Sequence, residues 1–384
     1  VQITTEQRRA RIGVRHALAP AARAASPVAA ADAVVALHAT DAATVFLSAC
    51  ARMREPGVTP VERALYEEVA LVKLLSMRRT LFAVSRELAP VVDAAAARAR
   101  AARERATFLK HLKDWNGLDE AWLQRAEAAA LAVLKDRGEA TGSEISAAEP
   151  LLRTKITVFP GSRQETQQGV TTRVLRMLAC DGHIRRGHPR GSWTSSQFRW
   201  APGEDFGGMD VAEAQTELTR RWLYAYGPAT EADLVWWTGW TKTAARKALA
   251  ATGAVAVELD EGTGLVLPDD TEPVAQPEPW AALLPGLDPT PMGWKERDWH
   301  LDPGYRKALF DGSGNVGPTV WWNGEVVGGW AQRQDGEVVW RMLRDVGGEA
   351  ERAVAAEAER LAAWVGDARI TPRFRTPLEK ELAA

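Results

Sequence analysis

Apolar residues recur with helical spacing through most of the first 137 positions. Residues 5–18 follow Thr4, a residue type suited to capping, and read as one helix. Residues 28–37 and 41–52 predict two more helices, separated by a break at His38-Ala39-Thr40. Residues 60–75 predict a further helix, and Met77–Val84 is β-prone. Residues 89–114 and 119–137 are Ala-rich, with charges on one face, and predict long helices.

Beyond residue 138 the pattern changes to shorter elements. A short helix begins around Glu139–Ile145, and residues 166–180 predict the next one. Two turns, Asp181–Gly187 and Arg190–Thr194, then bracket a strand, and residues 195–200 return as its partner. The order helix, helix, hairpin is that of a winged helix, and it recurs. Residues 211–225, 231–237 and 242–250 predict helices, and 254–267 a hairpin. Repetition of one such unit indicates tandem winged helices. Residues 269–280 are acidic and Pro-rich and read as a linker. Short strands are expected at 281–284, 306–310, 319–322, 325–330 and 337–343, then a helix over 348–364 and a tail containing Arg373-Phe374-Arg375. The fold class expected is α+β, mainly helical, ending in a small β-barrel or sheet. Its units fall at 1–137, 138–203, 204–268 and 269–384.

With 384 residues and a net charge of −2, the chain is not a general polycation. Nucleic-acid binding then requires its cations to be gathered on one face. Cys50 and Cys180 lie in separate apolar stretches, so no disulfide is expected and a reducing cytoplasm fits. No apolar run approaches the ~18 residues of a membrane span. The six histidines are scattered, and no P-loop, GxGxxG or HExxH pattern occurs, so neither metal nor cofactor is expected.

The segment from Arg185 to Arg199 carries Arg185, Arg186, His188, Arg190 and Arg199 with no acid among them. Ser192 and its neighbouring hydroxyls can bond phosphate oxygens, and Trp193 at the tip can wedge beside a base pair. The bland alternative is a solvated hairpin with arginines for solubility.

Three stretches resemble one bacterial family, the AlkZ-like and YcaQ-like winged-helix glycosylases of alkylpurines and crosslinks. They are Leu37-His38-Ala39-Thr40-Asp41 before an apolar helix, Ser76-Met77-Arg78-Arg79-Thr80-Leu81-Phe82, and Leu283-Leu284-Pro285-Gly286-Leu287-Asp288 with Arg297 shortly after. The resemblance implies tandem winged helices around a concave channel for double-stranded DNA, a C-terminal β-barrel, a monomer associated with the nucleoid, and hydrolysis of an N-glycosidic bond. It also implies catalysis from the His38–Thr40 junction. There the family carries a glutamine, a spacer, and a glutamine or aspartate, whereas this chain has His38 and Thr40; the family's glycine in the second stretch is Arg79.

On this reading His38 serves as a general base toward water, Thr40 holds that water, and Asp41 supplies a negative field. Activity then falls below the His38 pKa. Thr40 or Asp41 as a helix cap, and His38 as a structural residue, are the plain alternatives. Arg78, Arg79 and Thr80 would contact a flipped nucleotide or its phosphates, or else form surface ion pairs. Asp288 and Arg297 are expected to pair and fix the barrel to the channel. A winged-helix DNA binder without catalytic activity, a regulator or damage sensor, stays open as the rival.

Overall fold

The computed structural model describes residues 1–384. Its first helix, α1 (Thr5–Arg15), opens with a capping box in which Gln7 N–H donates to the Thr4 hydroxyl and Thr4 N–H donates to the Gln7 side chain. There follow α2 (Pro27–Ala33), a two-residue strand β1 (Leu37–His38), α3 (Ala42–Arg52), α4 (Val58–Glu62), and a hairpin of β2 (Leu71–Leu75) and β3 (Leu81–Ser85). The sheet order is β1-β3-β2, with Leu37 opposite Ala83 and His38 opposite Phe82. The helix expected over 60–75 ends in a π turn at Arg63–Glu67. Residues 71–75 are a strand instead, because five of them pair in register with Leu81–Ser85. A short apolar run buried on both faces has no period to separate strand from helix.

A continuous helix then runs through α5 (Ala89–Val92), a π turn at Asp93–Ala97 and α6 (Arg98–Asn116), and α7 (Glu120–Arg137) follows. The second repeat uses α7, α8 (Gly142–Ala148), a side hairpin of β4 (Lys155–Val158) and β5 (Thr166–Gly169), α9 (Thr171–Cys180), β6 (Ile184–Pro189) and β7 (Phe198–Pro202). Residues 166–169, expected within a helix, are held as a strand by Lys155–Val158. The third repeat is α10 (Val211–Tyr226), α11 (Glu231–Thr238), α12 (Lys242–Ala251), β8 (Val255–Leu259) and β9 (Gly262–Val266).

The three repeats share one detail. Each has a minimal strand between its first two helices, bonded to the last strand of its own hairpin: Leu37–His38 on β3, Ala140 on Trp200, and Ala229 on Leu265. Each minimal strand leads into a side-chain cap, Asp41, Thr141 or Thr230, on the next helix. His38 therefore occupies the first-strand position of the first winged helix, one turn of chain before its second helix.

The C-terminal segment carries β10 (Ala281–Leu284), α13 (Arg306–Leu309), β11 (Thr319–Trp322), β12 (Glu325–Gln332), β13 (Val338–Met342), α14 (Gly348–Val365) and α15 (Pro377–Leu382). The β-barrel expected here does not form. The four strands make an open antiparallel sheet in the order β10-β11-β12-β13, with β10 and β13 at its edges. Helix α14 packs on β10, β11 and β13, so the apolar sheet is covered without closing on itself. Residues 306–309 are helical rather than extended.

A buried polar network binds the first and third repeats to this sheet. Arg52, fully buried at the end of α3, donates to both carboxylate oxygens of Asp288, at 2.8 and 2.7 Å, and to the Thr290 hydroxyl at 2.7 Å. Thr290 in turn meets His16 Nδ1 at 2.8 Å, while His16 Nε2 lies 3.1 Å from the Ala225 carbonyl and so carries the proton. Burial alone would raise the Asp288 pKa, but Arg52 beside it and the bonds it accepts hold it below the ordinary value. The pairing of Asp288 with Arg297 expected from sequence is thus replaced by Asp288 with Arg52. The apolar helix α3 delivers its terminal arginine straight into the core, whereas Arg297 faces aromatic rings.

Candidate nucleic-acid interface and reaction centre

His38 is held from two sides. Its backbone is laddered to Phe82 and its ring meets the Phe82 ring edge-on, with centroids 5.3 Å apart. The side chain is buried, and Thr40 N–H points at Nδ1 across a long 3.5 Å. An amide donor at Nδ1 leaves the proton on Nε2. Nε2 has no protein partner and is not among the fully occluded polar atoms, so the ring keeps its small exposure at that end. Burial, followed by the nearby Arg78 charge, lowers the His38 pKa to about 3. The ring is therefore neutral at any physiological pH, with an N–H donor facing outward.

Asp41 is occupied. Its carboxylate accepts from Ala43 N–H at 3.2 Å, capping α3, and from Arg373 N–H at 3.0 Å. The Arg373 guanidinium also donates to the Thr40 carbonyl at 3.4 Å. The Thr40 hydroxyl has no bond of its own and is not occluded. In the sequence Arg373 is simply part of the tail's Arg373-Phe374-Arg375 stretch, and nothing in its neighbours signals that the tail returns to the His38 junction.

On the other side lies the tight turn between β2 and β3. Arg78 and Arg79 both have left-handed backbone, at φ 50° and 61°. Two successive non-glycine residues there cost about 1–3 kcal/mol each, and position 79 is the one where the resembling family carries glycine. The strain aims Arg78 onto the Trp236 indole of α11, with its guanidinium carbon 4.1 Å from the ring centroid. Burial lowers the Arg78 pKa to about 10, so it remains charged, and its Nε is occluded without a partner. Arg79 is exposed and 3.9 Å from Glu104. Thr80 donates its hydroxyl to the Arg78 carbonyl at 3.3 Å, which stiffens the turn.

The basic hairpin of β6 and β7 divides into inner and outer parts. Arg186 is stacked on Phe198 at 4.3 Å, and its pKa is lowered to about 10 by burial and by Arg373. Half-buried Arg185 forms no ion pair. Arg190 is exposed, and Arg199 lies 3.6 Å from Glu144, the cap carboxylate of α8. With Thr141, Ser143, Thr171, Thr172 and Gln197, Arg190 lines an open groove of about 640 Å³ between the hairpin and the starts of α8 and α9. His188 is bonded to the Glu139 carboxylate at 3.0 Å, and its ring lies against Tyr66. Ser192 is exposed and bonded to Thr194 at 2.8 Å.

Trp193 departs most from expectation. Instead of standing free at a wing tip it is 7% exposed, packed 5.1 Å from Phe46 of α3 and 5.8 Å from Trp364 of α14. A free indole would leave large apolar surface in water, and the tip folds back to bury it. The hairpin is thereby pinned against the middle of α3, the helix that follows the His38 junction.

The His38–Thr40 junction, Arg78 and Arg373 thus come together, with Arg186 next to Arg373; Asp41 is taken up by backbone N–H groups within the junction, and Asp288 is paired with Arg52.

The chain shares 31% identity over 215 residues with an interstrand DNA cross-link repair glycosylase of Streptomyces sahachiroi, an alignment that takes in 52% of this chain and 57% of that relative. The solved structure of the Streptomyces sahachiroi DNA glycosylase AlkZ superposes with a TM-score of 0.73, covering 97% of this chain and all of that one at 22% identity, and so shares its fold. No helix here is long and apolar enough to cross a membrane. The family model described as DNA glycosylase AlkZ-like matches residues 31–364, from the helix before His38 to the helix that anchors Trp193, and the chain belongs to that family.

Proposed function

We propose that this protein is a monofunctional DNA glycosylase that hydrolyses the N-glycosidic bond of purines alkylated at N7 or N3 in double-stranded DNA, bulky and crosslinked adducts included. The observation that carries the reading is the placement of His38 and Thr40. His38 ends the first strand of the first winged helix and Thr40 follows two residues later, with Arg78 on one side and Arg373 on the other. Arginines flanking a small neutral site are suited to hold the phosphates on either side of a displaced nucleotide.

The chemistry asks little of an acid. Water oxygen bonds to C1′, the C1′–N9 electron pair returns to the cationic purine and neutralises it, and the water proton passes to solvent. What remains for the protein is to place the water and tolerate charge in the transition state. The free Thr40 hydroxyl is the group suited to hold the water. His38, neutral and protonated on Nε2, is suited to donate a hydrogen bond to the departing base rather than to remove a proton from water. Taking a proton at Nε2 would need the other tautomer, with Nδ1–H set against Thr40 N–H. Asp41, spent on capping α3 and on Arg373, is a structural support for the junction.

Incubation of the protein with duplex carrying N7-alkylguanine tests this. Free modified base should appear, with Thr40→Ala slower by roughly ten- to a thousandfold, the span of a lost positioning group. Tight binding without any base release would favour a DNA binder with no reaction.

A further inference from the structure

We infer that the cleft between α11, α13 and the segment Met292–Arg297 is a second phosphate site, separate from the basic hairpin, which takes a backbone phosphate of the DNA strand passing the His38 junction. The inference rests on the DNA-binding part of the proposed function, not on the reaction. The cleft holds about 700 Å³ and is lined by Arg78, Lys295, Arg297, Arg306 and Lys307, against one carboxylate, Asp311.

The acids nearby are already committed. Asp311 accepts from Ser313 N–H, Asn315 N–H and the Asn315 amide, at 2.8–2.9 Å, and shapes its own loop. Asp298 pairs with Arg306 at 2.6 Å. Asp233 accepts from Lys295 N–H and Glu296 N–H. None of them forms an ion pair with Arg297.

Arg297 is the second, independent observation. It is 7% exposed and has no carboxylate within 4.0 Å. One guanidinium nitrogen donates to the Pro291 carbonyl at 3.1 Å, and the group lies 4.8 Å from the centroid of the same Trp236 ring that Arg78 covers. Two guanidinium groups share one indole, and the nearest acids, Asp233 and Asp298, act on Arg297 only from beyond ion-pair distance. Burial, then Arg78, lowers the Arg297 pKa to about 10, which leaves it charged. A buried cation without an anion is costly in a free protein. The arrangement fits an anion supplied from outside, and paired guanidinium groups with adjacent ammonium groups match phosphate oxygens. Arg78 reaches both the cleft and the field around His38, so the cleft adjoins the junction.

The test is binding of undamaged duplex by fluorescence anisotropy across a salt series, for the native protein, Arg297→Gln and Lys307→Ala. Each phosphate contact contributes about 0.9 to the slope of log K against log salt. Both variants should flatten the slope by about one contact. Lys307 is exposed and unpaired, so its variant keeps the test valid should Arg297→Gln melt early. Inorganic phosphate at constant ionic strength provides the second arm. Unchanged slopes in a folded Lys307→Ala and Arg297→Gln would overturn the inference. So would unchanged slopes accompanied by stabilisation of the native protein by inorganic phosphate, which assigns the cleft to a free anion. Base release measured on the same proteins keeps the two readings apart. Flattened slopes without release would sink the reaction alone, and release with unchanged slopes would sink this site alone.

Discussion

Replacing Asp288 by alanine should be among the most damaging single changes in the chain. The substitution removes two charge-assisted bonds from Arg52 and one from Thr290 N–H, at 2.7–2.9 Å. Arg52 stays behind fully buried, with only the Ser48 carbonyl and the Thr290 hydroxyl for company. Removing one partner of a buried pair costs about 3–5 kcal/mol, because the remaining charge is stranded. An unfolding entropy of about 2.1 cal/mol/K per residue over 384 residues gives about 0.8 kcal/mol/K, so the loss amounts to a Tm drop of about 5 °C. Scanning calorimetry of the native and variant proteins at pH 7 reads it directly. The double variant Arg52→Met, Asp288→Leu should recover most of the drop, since apolar groups of similar volume carry no stranded charge. An Asp288→Ala protein melting within a degree of the native one would refute the assignment of this pair as the tie between the first repeat and the C-terminal sheet.

Three further expectations follow from other parts of the molecule. Lys73 lies under the basic hairpin, bonded to the Tyr66 hydroxyl at 2.9 Å, and burial followed by Arg186 and Arg185 lowers its pKa to about 7. Between pH 7 and its ordinary value the unfolded chain binds a proton that the folded one lacks, so stability rises with pH there. Lys73→Met should accordingly raise the Tm at pH 7 by a few degrees, and a fall would count against that burial. Trp193→Ala removes the indole from between Phe46 and Trp364 and should cost about 3–5 kcal/mol locally, seen as rapid proteolysis within residues 190–197. A hairpin as resistant as the native one would mean that the tip is held by something else. Because His38 is neutral above about pH 3, single-turnover base release should show no limb attributable to it between about pH 5 and 8. An ascending limb near the unperturbed value of about 6.5, abolished by His38→Ala, would refute the neutral-donor role.

Much of the architecture can be read from the chain because the winged-helix repeat writes itself in caps and turns. Thr141 and Thr230 each open a short helix with a capping box, and the hairpins after α9 and α12 are bounded by glycines. The first repeat is harder to read. Its hairpin strand β2 carries apolar residues on both faces around the one Lys73, and its first strand is two residues long, so neither shows a period. The open C-terminal sheet resembles a barrel in sequence because strand spacing carries no information about closure, which α14 decides from 348 onward. The candidate site is legible only in part. His38, Thr40 and Arg78 stand in short recognisable stretches. Arg373 is brought to Thr40 across more than three hundred residues, and the tip indole of Trp193 is bound to a helix near the end of the chain. Charge patterning marks Arg185 to Arg199 as basic, but it does not distinguish Arg186, stacked on an aromatic ring, from Arg190, which faces solvent.

The central claim is that the His38–Thr40 junction releases alkylated purines from duplex DNA. Chromatographic detection of free base from N7-alkylguanine duplex, under single-turnover conditions with native protein, His38→Ala and His38→Gln, tests it most directly. Release by the native protein is expected, with a loss of at least about tenfold in His38→Ala and substantial activity in His38→Gln, whose amide also offers an N–H donor. Release by His38→Ala at the native rate, or none from the native protein on any N7- or N3-alkylated duplex, would contradict it.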